Sequence, residues 1–297
     1  MLKQKIKNSL SGLLYRYGHK LSDETYLRIL FFLKFDRPLN LKKPKTYNEK
    51  CQWLKLNYRK KELIPLADKY EVKKIVAQRI GEEFVVKNYG VWDNFDEIDF
   101  DQLPQKFVLK TTHDSTGALI CRNKADFDFE NARLVLNKNL SKSAYWPVRE
   151  WAYKFIKPRI IADELIEVPP GKDLLDFKFF CFHGEPKIFL VESERVDKTV
   201  ADNFFDIELN PIDFIQGGKK GEITVEDSED YRTMLSLAKK LCQDLPHIRV
   251  DFFYTGEKIY FAEYTFYQHA GISKFYPEKW DDILGSWIDL SKINKLP

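Results

Sequence analysis

Lys110 closes an apolar run, Phe107–Leu109, and is followed by Thr111-Thr112-His113-Asp114-Ser115-Thr116-Gly117, a turn of small and polar residues. One ammonium beside exposed backbone N–H groups is a way to hold a polyanion such as a phosphate chain. Far downstream, Arg249-Val250-Asp251 and Glu263-Tyr264-Thr265 set a guanidinium, two carboxylates and a hydroxyl at alternating positions. Carboxylates joined by phosphate oxygens suit magnesium, and a guanidinium suits a phosphoryl group in transfer. Together these residues point to a nucleotide and magnesium site. An ion pair between Arg249 and Glu263 accounts for the same residues without a ligand, and a lysine at a strand end is often simply solvated.

The chemistry requires these groups on one surface, and strand alternation sets the condition. Ile248–Tyr254 and Lys258–Tyr264 read as an antiparallel pair. A two-residue turn at Thr255-Gly256 would send Asp251 and Glu263 to opposite faces. A three-residue loop, Thr255-Gly256-Glu257, predicts instead that Arg249 faces Glu263 and Asp251 faces Phe261, with all three charges on one side. The apolar Ile248, Val250 and Phe252 then form a buried reverse face. Asp176 and Lys178 share a strand face in the same way, placed to meet a ribose and a phosphate or to pair with each other. Glu164, between Ile160–Ile161 and Leu165–Ile166, marks a cleft edge where backbone groups can read adenine.

The surrounding pattern is α+β, with antiparallel hairpins and covering helices. Helices are expected over 2–17, over 23–34 with Ser22 as cap, and over 49–56, 65–78, 126–138 and 146–155, with a long one within 225–245. A short strand is expected at 84–86, a turn near 88–90, a strand at 107–110 with its return at 118–121, and a hairpin of 176–183 with 187–191. Val200–Gly221 has few periodic apolar positions and reads as irregular.

Bulk properties narrow the function classes. The chain has 297 residues and a net charge of +3, with 12 Lys/Arg against 4 Asp/Glu in the first 50 residues and an acidic remainder. That distribution disfavours a uniformly basic nucleic-acid binder but permits a local anionic contact. Residues 2–17 are amphipathic and basic, which fits either a peripheral membrane contact through residues 1–17 or a helix packed on the body. Cys51, Cys121, Cys181 and Cys242 are far apart in sequence, which supports neither a thiolate zinc site nor a disulfide framework. No apolar run approaches the 18 residues or so of a membrane span and no signal-peptide pattern is present, so a cytoplasmic location is expected.

Phe107–Lys110, Asp176–Lys178, Arg249–Asp251 and Glu263–Thr265 occur in the order of an ATP-grasp protein. With Pro44–Lys50, Trp53–Lys55, Ala67–Tyr70 followed by Val72, Phe180–Gly184 and Phe261–Phe266, the chain resembles the TupA-like ATP-grasp family over roughly residues 20–290. That family is associated with teichuronopeptide and surface-polysaccharide synthesis. The resemblance implies ATP held between antiparallel sheets, in a chain divided into a basic helical region 1–60, an N-terminal ATP-grasp part 61–160 and a C-terminal part 161–297. It implies that Lys110 and the loop His113, Ser115, Thr116 and Gly117 hold phosphates, that Glu164, Leu165 and Ile166 lie beside adenine, and that Asp176 and Lys178 lie near ribose and phosphate. Asp251, Glu263 and Thr265 would bind magnesium, and Arg249 would stabilise the transferred phosphoryl group. Thr265 departs from the asparagine usual at that position.

The implied activity is an ATP-dependent carboxylate–amine ligase joining an acidic sugar or glycan precursor to an amine through an acyl-phosphate. Arg195, with Lys198 as a second choice, follows the strand ending near 192 and is expected to meet a substrate anion. His269 is expected either to line the acceptor side or to make a loop hydrogen bond. A sugar or small-molecule kinase, a polysaccharide glycosyltransferase and a non-catalytic ATP-binding assembly protein remain alternatives at this stage.

Overall fold

Apolar residues along the strands give the chain two largely antiparallel sheets; the smaller has one buried and one polar face, and the larger buries one face fully and the other in part, at Phe180, Ile188, Leu190 and Phe204. The computed structural model describes residues 2–115, 117–193, 201–217, 219–243 and 245–293. Strands β1 (Asn88–Trp92), β2 (Phe107–Thr111), β3 (Leu119–Cys121) and β4 (Ile160–Asp163) form the smaller sheet, in the order β1-β4-β2-β3. The larger sheet contains β5 (Leu175–Phe182), β6 (Glu185–Ser193), β7 (Ala201–Asp206), β8 (Pro211–Ile212), β9 (Lys219–Lys220), β10 (His247–Tyr254) and β11 (Ile259–Thr265). Its main path is β11-β10-β5-β6-β7-β8, with β9 added parallel to β7. All four residues of β4 pair within the smaller sheet, and the chain crosses to the larger sheet after Asp163.

Helices α1 (Leu2–Tyr17), α2 (Asp23–Phe35), α3 (Tyr47–Asn57), α4 (Ile64–Ala67), α5 (Glu71–Ile80), α6 (Phe129–Leu140), α7 (Tyr145–Val148), α8 (Glu229–Leu241) and α9 (Lys279–Trp287) cover these sheets. Phe107, Leu109, Ile160 and Ala162 bury one face of the small sheet against Ala132 and Leu136 of α6. On the large sheet, Phe179, Phe189, Val250 and Phe252 pack under Tyr231, Met234, Leu237 and Leu241 of α8. Rings there stack closely, with Phe179 and Phe189 centroids 5.4 Å apart and Phe189 and Tyr231 5.3 Å apart. Each fully buried side chain of this size contributes roughly 1.5–3 kcal/mol from area alone. The opposite faces carry Val108, Lys110 and Asp163 on one sheet and Asp176, Lys178, Arg249 and Asp251 on the other. The polar faces therefore belong to the site.

Four of the α-helices start at a side-chain cap, Ser22, Thr46, Asp128 and Ser228. Ser22 Oγ accepts from Thr25 N, and Thr46 and Glu49 form a reciprocal capping box at α3. Elsewhere local polar groups shorten or split the expected helices. Asp128 accepts from Asn131 N, so α6 begins at 129 rather than 126. Asp68 accepts from the N–H groups of Tyr70 and Glu71, dividing the expected 65–78 helix into α4 and α5. Arg149 adopts φ 58° and ends α7, dividing the expected 146–155 helix.

Three strand expectations also change. Residues 82–84 form a 3₁₀ turn, and only Val85 bridges to a strand, at Phe261. The turn expected at 88–90 is strand β1, because β4 lies inside its sheet and needs a second hydrogen-bonding neighbour; Val91 pairs with Ile161. The segment expected to be irregular contributes β7, β8 and β9, since Phe204 and Phe205 pair with β6 and bury against the core.

Helix α1 packs through Leu14 against a cluster containing Tyr26, Leu27 and Phe31 of α2, while Leu10, Leu13 and Tyr17 are exposed. All four cysteines are buried and free. Among the described residues no helix is long and apolar enough to cross a membrane.

The docking of α9 on the start of α3 depends on Gly285. A Cβ there would lie 2.3 Å from the Lys45 carbonyl oxygen and 2.6 Å from Tyr47 N. Backbone cannot yield as a flexible side chain can, so Gly285→Ala is expected to cost about 1–3 kcal/mol, read as a lower urea midpoint. A variant as stable as the parent would show that this contact is slack.

Candidate functional site

The two polar sheet faces meet across a cleft of about 750 Å³ lined by Val108, Lys110 and Asp163 from one sheet and Phe253 from the other, with Glu164–Val168 along the connecting segment. Lys110 and Asp163 share a face because Asp163 pairs with Val108 and side chains alternate. Lys110 Nζ lies 2.9 Å from Asp163 Oδ2, and Lys73 Nζ lies 3.2 Å from Asp163 Oδ1. Asn88 Nδ2 donates to the same Oδ1 at 3.0 Å. Burial opposes the charge on Asp163, but Lys110 and Lys73 outweigh it and hold the carboxyl below its ordinary range. Burial lowers the Lys73 ammonium, and Asp163 partly offsets this.

On the other wall, Asp251 pairs directly with Glu263 and Arg249 with Thr265. The expected pairing of Arg249 with Glu263 and of Asp251 with Phe261 is therefore corrected. A four-residue connection, Thr255–Lys258, joins Tyr254 to Ile259, and Phe252 pairs with Phe261. A bulge at Ala262 then adds one residue and turns Glu263 to the face of Asp251. The charges share a face as the site requires, but the bulge achieves this rather than the turn.

Arg249 binds Asp251 through both carboxylate oxygens, with Nε to Oδ1 at 2.7 Å, and its Nη2 lies 3.6 Å from Glu263 Oε1. It also donates to Gln268. Burial works against the guanidinium charge, yet the Asp251 carboxylate raises its pKa further. Burial raises the Asp251 carboxyl, with Arg249 opposing. Glu263 is more open, its side chain 43% exposed, and accepts from Thr265 Oγ1 at 3.3 Å. Lys178 lies 3.1 Å from Asp176 Oδ2 and also bonds Glu192. Burial pushes Asp176 up to about 7, against the pull of Lys178 and aided by repulsion from Asp251, and its Oδ1 is buried without a hydrogen-bond partner.

The loop after β2 is anchored from within. Thr111 Oγ1 donates to Asp114 Oδ1 at 2.6 Å, and the His113 ring bonds the Lys142 carbonyl at 3.1 Å. His113 is buried in that contact, whereas Ser115 and Gly117 are exposed and Gly117 adopts φ 53°. Lys69 ties this loop to the β10–β11 hairpin. Its backbone N donates to Thr112 O at 2.9 Å, its ammonium donates to the Asp114 carbonyl, and its charge interacts with Glu263 and Lys110. Burial lowers the Lys69 pKa.

Lys110, Glu164, Leu165 and Ile166 therefore border one cleft, while Asp176, Lys178, Arg249, Asp251, Glu263 and Thr265 share the facing sheet surface. Thr116, Arg195 and Lys198 lie outside the described residues. His269 is exposed, with its Nε2 beside Gly217. Sequence reasoning missed Lys69, Lys73, Asn88, Asp163 and Gln268. Asp163 was accessible in principle, because alternation from the buried Ala162 puts it on the face of Lys110.

Two facing carboxylates with flanking cations fit magnesium carried by a nucleotide, since this ion usually takes one or two carboxylates and completes its shell with phosphate oxygens and water. The unpartnered Asp176 Oδ1 offers a further acceptor on the same face. Among the described residues no group of three or more His, Cys, Asp or Glu side chains is arranged to hold a metal ion.

The sequence model of the TupA-like ATP-grasp family matches residues 49–289. The chain belongs to that family. Its α+β architecture is the ATP-grasp fold, and its membership places it broadly among ATP-dependent ligases, a family that typically binds ATP with magnesium. No curated protein sequence matches the chain. Among solved structures, a D-alanine–D-alanine ligase from Bacillus anthracis is 14% identical over 82% of this chain and 69% of that one, with a TM-score of 0.40. The Helicobacter pylori D-alanine–D-alanine ligase gives 14% identity over 82% and 69%, with a TM-score of 0.42. An L-amino acid ligase from Bacillus licheniformis is 9% identical, with 93% of this TupA-like chain and 65% of the ligase covered and a TM-score of 0.49.

The Lys110–Asp163–Lys73 cluster generates a pH-dependent expectation. Removing the carboxylate leaves two ammonium groups without their shared counter-charge, so Asp163→Ala should cost about 3–5 kcal/mol near neutrality. Because the folded pKa lies below the ordinary 3.8, the native state binds fewer protons than the unfolded one in that range. The contribution is complete above pH 3.8 and is lost as pH falls through the folded value. Urea unfolding of parent and variant should therefore differ at pH 7 and converge as pH falls through the folded pKa; a gap that stays constant across the whole acid range would assign the loss to packing.

Proposed function

We propose that the protein is an ATP-dependent carboxylate–amine ligase that forms an amide on an acidic sugar of a surface-polysaccharide precursor. The carrying observation is the shared surface of Arg249, Asp251 and Glu263, with Lys69 in electrostatic reach of both Glu263 and Lys110. Lys110 and the exposed part of the 113–117 loop hold the phosphates, and Glu164–Ile166 border the base. Asp176 and Lys178 serve the ribose and a nearby phosphate. Asp251 and Glu263 would hold magnesium, with Thr265 beside them; the ion supplies neutralisation of phosphate charge.

In the reaction, a substrate carboxylate oxygen attacks the terminal phosphorus of ATP. The bond from that phosphorus to the ADP oxygen breaks, giving an acyl-phosphate and ADP. An amine then attacks the acyl carbon, phosphate leaves, and loss of one amine proton gives the amide. The chain's work is alignment, charge stabilisation and exclusion of water. Arg249 would stabilise the transferred phosphoryl group by exchanging one carboxylate oxygen of Asp251 for a phosphoryl oxygen. One fact supports a ligase over a kinase: the family is broadly one of ligases.

ADP release with Mg-ATP across acidic sugars and amines, with product mass recorded in the same reactions, tests this. Amide product with stoichiometric ADP is expected, and folded Asp251→Asn and Glu263→Gln should each lose on the order of 10²-fold or more in kcat. A stable phosphorylated sugar formed without amine would make the enzyme a kinase, sugar transfer from a nucleotide sugar without ADP production would make it a glycosyltransferase, and full turnover by both variants would sink the metal assignment.

We also propose that α1 makes a peripheral contact with an anionic membrane surface, with the protein on the cytoplasmic side. Exposed Leu10 and Leu13 on a basic helix support this. The double variant Leu10→Gln, Leu13→Gln should sediment less with phosphatidylglycerol vesicles; equal sedimentation would reject the contact.

A further inference from the structure

Pro44–Lys50 and Trp53–Lys55 take no part in the reaction as written above, although α3 is built from them. The helix reaches the site through Tyr47, which opens it and is wholly buried.

Alternation along β10 puts His247, Arg249 and Asp251 on one face. Tyr47 lies over the start of that row. Its ring meets the His247 ring edge-on, with centroids 5.1 Å apart, and His247 stacks on Phe182 at 4.7 Å. His247 Nδ1 lies 3.0 Å from the Cys181 carbonyl, which can only accept, so that nitrogen carries the proton. Burial lowers the imidazole to about 4, so the ring is neutral near pH 7 and its Nε2 is an acceptor. Tyr47 Oη, 2.9 Å away, therefore donates to Nε2. With its proton engaged there, Oη accepts the Gln268 N–H at 3.2 Å. The Gln268 side chain in turn accepts from Arg249 Nη1. The contacts run without a break from the Cys181 carbonyl through His247, Tyr47 and Gln268 to the guanidinium.

Helix α3 also fixes the segment that carries Gln268. Asn48, Gln52 and Lys55 lie on one side of the helix. Asn48 Nδ2 donates to Ser273 O at 3.0 Å, Gln52 Nε2 to Gly271 O at 2.6 Å and Lys55 Nζ to Ala270 O at 2.7 Å. Their grip holds His269 and Ala270 at φ 46° and 55°, a region that side chains other than glycine seldom occupy. Such a conformation persists only where its surroundings over-determine it. Gly271 completes the turn, and a Cβ there would stand 2.4 Å from the Cys51 Cβ.

A guanidinium carries more N–H donors than one carboxylate can take. Nε and Nη2 of Arg249 go to Asp251, and Nη1 goes to Gln268. In the transfer step described above, Arg249 gives up one Asp251 oxygen for a phosphoryl oxygen. The bond to Gln268 does not change in that exchange, so it is the pivot of the fork.

We infer that Tyr47 and Gln268 are positioning residues for phosphoryl transfer: bonded to each other, and through Gln268 to Arg249, they hold the guanidinium while it exchanges a carboxylate oxygen for a phosphoryl oxygen. The inference rests on the role given to Arg249 in the ligase reading and adds to it the part of the chain that aims this group.

Tyr47→Phe removes only the hydroxyl, and Gln268→Met keeps the length of the side chain while removing its acceptor. Two measurements on the folded full-length variants test the inference. The first needs no turnover: the Nε–H resonance of Arg249, identified by its loss in Arg249→Lys, should move in both. The second is ADP formation from Mg-ATP with acidic sugars and amines. Each variant should lose about five- to tenfold in kcat, the scale of one hydrogen bond, with KM for ATP within about twofold of the parent. In the double variant kcat should fall no further than in the slower single variant, because members of one network do not act additively. An Arg249 resonance unmoved by Tyr47→Phe overturns the inference. So do unchanged kcat values, or losses that multiply in the double variant and follow the fall in urea midpoint. Should Tyr47→Phe not fold, Gln268→Met decides by the same measurements. If the parent forms ADP without any amide, and the variants slow ADP formation and move the resonance, the positioning role stands and the ligase reading fails. If the variants form amide and ADP at the parental rate, the ligase reading stands and the positioning role fails.

Discussion

Two carboxylates side by side on a sheet repel each other, and the centre of this protein depends on the cation that makes their proximity tolerable. Asp251 and Glu263 are directly paired across β10 and β11, and Arg249 lies on the same face, bonded to one and within 3.6 Å of the other. Removing water from these groups is costly, so a buried pair persists only where further bonds satisfy it. Gln268 supplies one such bond to Arg249 and Thr265 another to Glu263. The result is a cluster whose charges are oriented by one another. That preorganisation is what transition-state stabilisation by fixed charges requires.

The same logic of shared counter-charge links the two sheets. Asp163 lies between Lys110 and Lys73 on the small sheet, and Lys69 spans from the phosphate loop towards Glu263 on the large one. Each bridging group comes from a different element, so neither wall can shift alone without exposing an unmatched charge. Behind the hairpin, the fully buried Lys55 donates to the carbonyls of Ala270 at 2.7 Å and Val148 at 2.8 Å. Burial lowers it to about 8, while burial pushes its electrostatic partner Glu150 up to about 7. This internal pair joins helix α3 to the segment that follows the β10–β11 hairpin and to the segment that carries Trp146. The N-terminal helices are thereby part of the site's support.

How much of this was legible depended on whether the signal was local. Alternation in Ile248–Tyr254 and in Phe107–Lys110 exposed the buried and polar faces, and the charged types on those faces named the chemistry. Ser22 and the Thr46–Glu49 box marked helix starts because a cap is read from a few adjacent residues. The bulge at Ala262 was not legible: Phe261-Ala262-Glu263-Tyr264-Thr265 looks regular, and only pairing with β10 reveals the extra residue. Asp163 and Lys69 were visible as charges but not as partners, since their role exists only when β4, α5 and the phosphate loop meet. His113 looked like a loop ligand because its neighbours are polar; its bond to the Lys142 carbonyl is a contact across 29 residues. Long-range geometry decides those cases, and composition is silent on it.

Thr265 shows how the bulge and the side chains work together. A threonine in a strand is stiff at χ1, so its hydroxyl has little freedom to search for a distant ion. Here Thr265 pairs with Arg249, and its hydroxyl donates to Glu263 Oε1. It therefore acts on the carboxylate that is more open to solvent and needs orientation most. An asparagine at this position would reach further and bring its own carbonyl oxygen, but at the cost of more rotamer freedom. A short, stiff donor fits a hairpin in which Asp251 is held by a bidentate guanidinium and Glu263 is the more exposed of the two carboxylates. The departure at this position thus shifts the residue's work from reaching an ion to holding the carboxylate that would.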